Sequence, residues 1–199
     1  MSIRNLIIIF SLCLLVSLAV NSKTYTLIRG NDLQSIINMA QNGDTLVLGA
    51  KKFEAKPTSF IEDLCGNCLD PQTKVNTSYG FIIKNKSLVI LGNDREQTIL
   101  NTNAGYGVYF ENSIGSIVRN LTITGGIRND DGNATDAGIV VRNSRVNIED
   151  VNIVDNTDRS SDSSVVVGIG GIFIVLGVIM LGKEAGIFNF RKVIFMKTD

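Results

Sequence analysis

The residues best placed by type to do chemistry lie in RNDDGNATD, residues 128–136. Asp130, Asp131, Asn133 and Asp136 supply the hard carboxylate and carbonyl oxygens that calcium takes. Arg119, Arg128 and Arg142 lie nearby in the chain as cationic partners. The same residue types are those that polar turns use, and the spacing differs from the DxDxDG calcium loop. The stretch therefore reads either as a calcium site or as an ordinary loop between strands. A second candidate is a surface. Tyr109 offers a ring on which a sugar can stack and Arg142 a charged flank, with Ile82 and Val140 as the floor of a groove. The competing reading is plain strand surface covered by residues 51–78.

Composition removes other chemistries. The chain has 199 residues and no histidine. This excludes a Ser-His-Asp triad, a Cys-His pair, a His-ligated zinc and a histidine general base. Residues 1–22 read as a signal peptide: Arg4, an apolar run from Leu6 to Val20, then small residues at Val20-Asn21-Ser22. The run is short for a bilayer that needs ~20 residues. Removing 1–22 takes away one charge, Arg4, and leaves 18 basic against 19 acidic residues. That balance speaks against a nucleic-acid partner, which calls for a basic face. Cys65 and Cys68 lie two residues apart in CGNC. The strand-to-helix setting of a redox CxxC is missing there, and so are two further soft ligands for zinc. In an exported chain the pair is expected to form a local disulfide. The protein is expected to be secreted or held at the cell envelope.

Elements must hold these residues. Thr24–Ile28 alternates polar and apolar as a strand does. Asn31 or Asp32 caps a helix carrying Leu33, Ile36, Ile37 and Ala40, and Asn42-Gly43 ends it. Asp44–Leu48 is again a strand. Residues 51–78 hold both prolines and show no period, so they read as an irregular excursion.

A repeat then begins. GFIIKN at 80, GVYFEN at 107 and GIVVRN at 138 each pair a Gly with an Asn five residues later: Asn85, Asn112 and Asn143. Each hexamer is followed by a second apolar stretch. Units this short cannot bury an apolar face alone and must stack. Strand alternation puts Phe81, Val108 and Ile139 on one face with Ile83, Phe110, Val141 and the three asparagines. It puts Ile82, Tyr109 and Val140 on the other face with Lys84, Glu111 and Arg142. The expected result is a parallel stack with an inward asparagine ladder and outward charges of alternating sign.

With these motifs in view, the chain resembles the right-handed parallel β-helix proteins of the pectin-lyase-like superfamily, especially exported repeat proteins of unassigned activity. NDLQSIINMAQNGDTLVLGAKKF (31–53) looks like that family's opening, in which a helix caps the open end of the coil. The hexamers and SIVRNLTITG look like its rungs. The resemblance implies an all-β solenoid over residues 23–164 with a short capping helix at 33–41. Activities in the family include polysaccharide lyases, glycoside hydrolases, esterases, epimerases and adhesins, so the fold does not settle the function. One expectation is a non-catalytic exported protein that contacts glycans or the cell envelope, motivated by the missing histidine and acid–base set. The other resembles a calcium-dependent polysaccharide lyase centred on 128–136.

The last segment, 165–199, carries eighteen uncharged residues at 165–182. They read either as a transmembrane helix, with Lys183, Arg191, Lys192 and Lys197 following, or as a next rung starting at Gly171. In the rung reading the pattern fails at Leu176, as in a truncated or frame-shifted end.

Overall fold

In a computed structural model, residues 22–28, 32–63, 74–127 and 136–156 are described, together with the backbone of strands at 170–175, 178–181 and 193–195. The architecture is all-β with one short helix. Strand β1 (Thr24–Leu27) leads to helix α1 (Leu33–Met39), whose N-cap is Asp32: its carboxylate accepts from the amides of Gln34 at 3.0 Å and Ser35 at 3.4 Å. Such caps satisfy donors that the first turn leaves open. Leu33 and Ile37 bury one face of the helix, which ends sooner than the sequence suggests. Gly43, at φ +88°, turns the chain into β2 (Thr45–Leu48).

Within 51–78 the described residues, 51–63 and 74–78, carry more strand than the sequence suggests. They hold β3 (Lys52–Glu54), β4 (Thr58–Glu62) and the start of β5 (Val75–Lys84). The strands β6 (Val89–Gly92), β7 (Ile99–Asn101), β8 (Tyr106–Glu111), β9 (Ile114–Thr124), β10 (Ala137–Arg142) and β11 (Arg145–Ile153) follow.

Two sheets result. The first runs β1-β2-β6-β9-β11, with β7 beside β9 and β3 beside β7; the second runs β4-β5-β8-β10. Every pairing is parallel except β4 with β5. From β5 onward the chain alternates between the sheets, so each strand returns beside its predecessor pointing the same way. Phe81, Val108 and Ile139 stand in register, as do Ile83, Phe110 and Val141. All six are buried and meet Leu46, Ile90, Val118 and Ile148 of the first sheet in the main core. Lys84, Glu111 and Arg142 are also in register.

The glycines that open the first two hexamers have a steric reason. A Cβ on Gly107 would stand 2.4 Å from the carbonyl oxygen of Gly138, and one on Gly80 2.7 Å from that of Thr102. No side chain fits where one strand enters so close to its neighbour.

The asparagines differ from expectation. Asn85, Asn112 and Asn143 adopt left-handed φ values of 57°, 51° and 46° and are exposed. A left-handed residue ends the alternation of the strand before it, so the side chain leaves the core face and runs along the outside of the corner. Two further left-handed positions recur. Asn120 (58°) and Asp150 (50°) bend β9 and β11, which resets the alternation so that Leu121 and Val151 point inward again. Gly125 (74°) and Asp155 (52°) turn the chain out of the first sheet.

Beyond residue 156, β12 (Gly170–Val175), β13 (Val178–Leu181) and β14 (Val193–Phe195) extend both sheets in parallel, with Ile172 opposite Ile139. Within 165–182 the described backbone is thus strand. Among the described residues no helix is long and apolar enough to cross a membrane.

Candidate functional site

The outer face of the second sheet holds a cluster of ionisable side chains. Strand β4 reaches it from the side. Bonded antiparallel to Val75–Tyr79 of β5, it carries Phe60 and Glu62 across β8 to β10. Phe60 stacks on Tyr109 at 5.9 Å and 13°, meets Tyr106 edge-on at 5.7 Å and lies tilted against Tyr79 at 5.7 Å. Tyr106 and Tyr109 form a second T-shaped pair at 5.4 Å. With Ala137, Val140 and Ile82 these rings make a small apolar cluster separate from the main core.

A polar rim completes the arrangement. Arg142 donates from Nη1 to Glu62 Oε1 and from Nη2 to Asp63 Oδ1, each at 2.6 Å. Tyr106 donates its hydroxyl to Glu62 Oε2 at 3.3 Å. Burial pushes Tyr109 up to about 12 and Tyr106 further above the usual phenol range, the latter helped by Glu62 and Asp136. Burial also works against the charge on Arg142, but Asp63, Glu62 and Tyr109 outweigh it and keep the guanidinium protonated. Arg142 in turn holds the Asp63 carboxyl below its ordinary value. Two neutral phenols and a fully paired guanidinium do not make a general acid–base set.

Of the two readings of the Tyr109 and Arg142 surface, this arrangement matches the one in which residues 51–78 cover it. Tyr109 is only 3% exposed because Phe60 covers its ring face, and the guanidinium of Arg142 is engaged by Glu62 and Asp63. The residues that close the face lie in a stretch without periodicity, and the signals they left are an aromatic at 60 and adjacent acids at 62 and 63.

Of the 128–136 cluster, Arg128, Asp130, Asp131 and Asn133 lie outside the described residues. Asp136 is described: it is buried just ahead of β10. Arg142 is at the opposite end of that strand, its Cα about 20 Å from that of Asp136 at ~3.3 Å per residue. Arg119 belongs to the other sheet, where it pairs with Glu149. The structure therefore does not gather these arginines around Asp136. Among the described residues no three His, Cys, Asp or Glu side chains lie together as a metal site. Cys65 and Cys68 also fall outside the described residues.

The asparagine column is continuous. Asn143 donates its side-chain amide to Asn112 at 2.6 Å, and Asn112 donates to Asn85 at 3.0 Å. At the far edge of the second sheet, Gln34 imitates a strand. Its Oε1 accepts from the amide of Ile82 at 2.9 Å, and its Nε2 donates to the Ile82 carbonyl at 3.1 Å. Lys86 caps the same helix by donating to the carbonyls of Ile37, Asn38 and Ala40.

No family model, curated protein or solved structure matches this chain.

Proposed function

We infer that the chain is an exported right-handed parallel β-helix protein of the pectin-lyase-like type, non-catalytic, acting at the cell surface by contact with glycans. The β-helix reading is supported by the alternation between two parallel sheets and by the recurring left-handed corners. Export is supported by the charge and apolar pattern of residues 1–22.

One observation carries the non-catalytic reading. The charged side chains that recur from strand to strand engage one another: Lys84 with Glu111, Arg119 with Glu149, and Arg142 with Glu62 and Asp63. Groups locked in such pairs are not poised to abstract or deliver a proton. Glycan contact then falls to the outer face of the first sheet. There Thr45, Val47, Val89, Leu91, Ile117 and Asn147 form a half-buried surface over adjacent strands.

The rival is a calcium-dependent lyase centred on Asp130, Asp131, Asn133 and Asp136. Incubation with uronic-acid polymers, with and without chelator, separates the two. The expected result is retention of glycan by the wild-type chain, loss of retention in Leu91→Lys, and no ultraviolet-absorbing unsaturated product. Product that disappears with chelator would establish the rival.

A further inference from the structure

Strand β4 is attached differently from the others. Among the described strands it is the antiparallel one, and its backbone pairs with β5 at the end of the strand order. Its burial is slight. Thr58 and Ser59 are exposed, Ile61 is 65% exposed, Phe60 is half-buried, and only Glu62 is buried. The cluster that Phe60 joins is not continuous with the main core, which is closed by inward side chains of the two parallel sheets. Segments with few buried apolar contacts open at lower free energy than the body they rest on.

Among the described residues, the ion pairs that fasten the end of β4 over the outer face converge on one side chain, beside the Tyr106–Glu62 hydrogen bond. Arg142, on the second strand away from β5, takes Glu62 and Asp63 at once. The other ionisable groups around these acids are Tyr106 and Tyr109 from β8 and Glu111 beside Arg142 in register, while Asp136, at the other end of β10, acts on Tyr106. Glu111 is engaged by Lys84, so the acids of β4 are the principal partners of the guanidinium.

We propose that β4 is a latched cover that opens as a unit, with Arg142 as the latch, while the parallel sheets stay folded. This goes beyond the glycan reading and does not depend on it. Opening uncovers Tyr79, Tyr106, Tyr109, Ile82 and Val140 and frees a guanidinium at the edge of that apolar floor. The closed state itself shows the chemistry such a face accepts: an aromatic ring followed by carboxylates.

Hydrogen exchange on the full chain, read by mass spectrometry, tests the latch. In the wild type, peptides covering 58–62 are expected to exchange on the order of tenfold or more faster than those covering 106–111 and 137–142. Arg142→Gln removes the charge and is expected to speed exchange at 58–62 by roughly another tenfold, the scale of a lost charge-assisted hydrogen bond, without moving 106–111. Phe60→Ala, which leaves the ion pairs in place, should act on the same stretch. The proposal is overturned if 58–62 exchanges in step with 106–111 in the wild type. It is equally overturned if Arg142→Gln accelerates both stretches together or leaves the chain unfolded.

Discussion

The side-chain amide of Asn112 donates to that of Asn85 across 3.0 Å, with both residues held in the left-handed conformation on the outside of a corner. The same amide group accepts from Asn143 at 2.6 Å. Asn112 therefore does two jobs: it turns the chain where most residues would be strained, and it ties three successive strands together.

Those two jobs can be separated. Asn112→Leu forces a side chain poorly suited to the left-handed region, at about 1–2 kcal/mol, and removes two exposed hydrogen bonds worth ~0.5–1.5 kcal/mol each. A loss of roughly 2–5 kcal/mol is expected. Asn112→Gly keeps the turn and loses only the ladder, so it should cost less. Glu111→Leu removes a surface pair with Lys84 and should cost about 1 kcal/mol or less. Urea denaturation of the three variants gives the order, and a Leu variant milder than Glu111→Leu would contradict the assignment of the corner.

Two glycines make a matched pair. At Gly107 a methyl group would meet the backbone of Gly138, so Gly107→Ala is expected to cost ~3 kcal/mol, at the upper end for overpacking. Gly115 has φ +99° but nothing within 4 Å of its added Cβ, so Gly115→Ala should carry backbone strain alone, about 1 kcal/mol. Thermal melts of both, compared at equal concentration, check the difference.

Asp44 sets a pH dependence. Its carboxylate accepts from the amides of Lys23 and Gln41, each at 2.7 Å, and these bonds hold its pKa below the ordinary value. Its contribution is thus fully present above the unfolded-chain value of about 3.9. It is lost as the pH falls through the lower folded value. The urea midpoint of the wild type is expected to exceed that of Asp44→Asn at neutral pH, and the gap to close in acid. A gap that persists unchanged below both values would show that the carboxylate's charge is not what stabilises.

Gln34 protects an edge. Replacing it with Leu removes the bidentate pairing with Ile82 and leaves an N–H and a C=O of β5 open. Open edges are templates for pairing with another chain. Gln34→Leu is expected to cost ~1–3 kcal/mol and to increase self-association, which sedimentation velocity measures directly.

The sequence showed the spacing of the fold more readily than its corners. Phe81, Val108 and Phe110 were legible because strict alternation survives inside a strand. The facing of Asn112 does not follow from that alternation, because the residue lies one place past the strand's end, where a positive φ cancels it. The second and third corners were missed because Asn120 is answered by Asp150 and Gly125 by Asp155: the conformation repeats and the residue type does not. Strand β4 was illegible because five residues show no period, and their pairing with Val75–Tyr79 is antiparallel in a parallel setting. The covered state of Tyr109 depends on that strand, which lies within the 51–78 stretch that the competing reading of this surface names.

The central claim is that β5, β8 and β10 lie parallel in one register, with Lys84 beside Glu111. Register neighbours stand within the ~4.4–6.8 Å Cα separation that a disulfide spans. The direct measurement is oxidation of a Lys84→Cys, Glu111→Cys double variant, followed by peptide mapping by mass spectrometry. The account predicts a disulfide between the two introduced cysteines that forms in the folded chain without loss of its β-sheet signal. A folded chain in which these two positions fail to join would contradict the parallel register and the fold built on it.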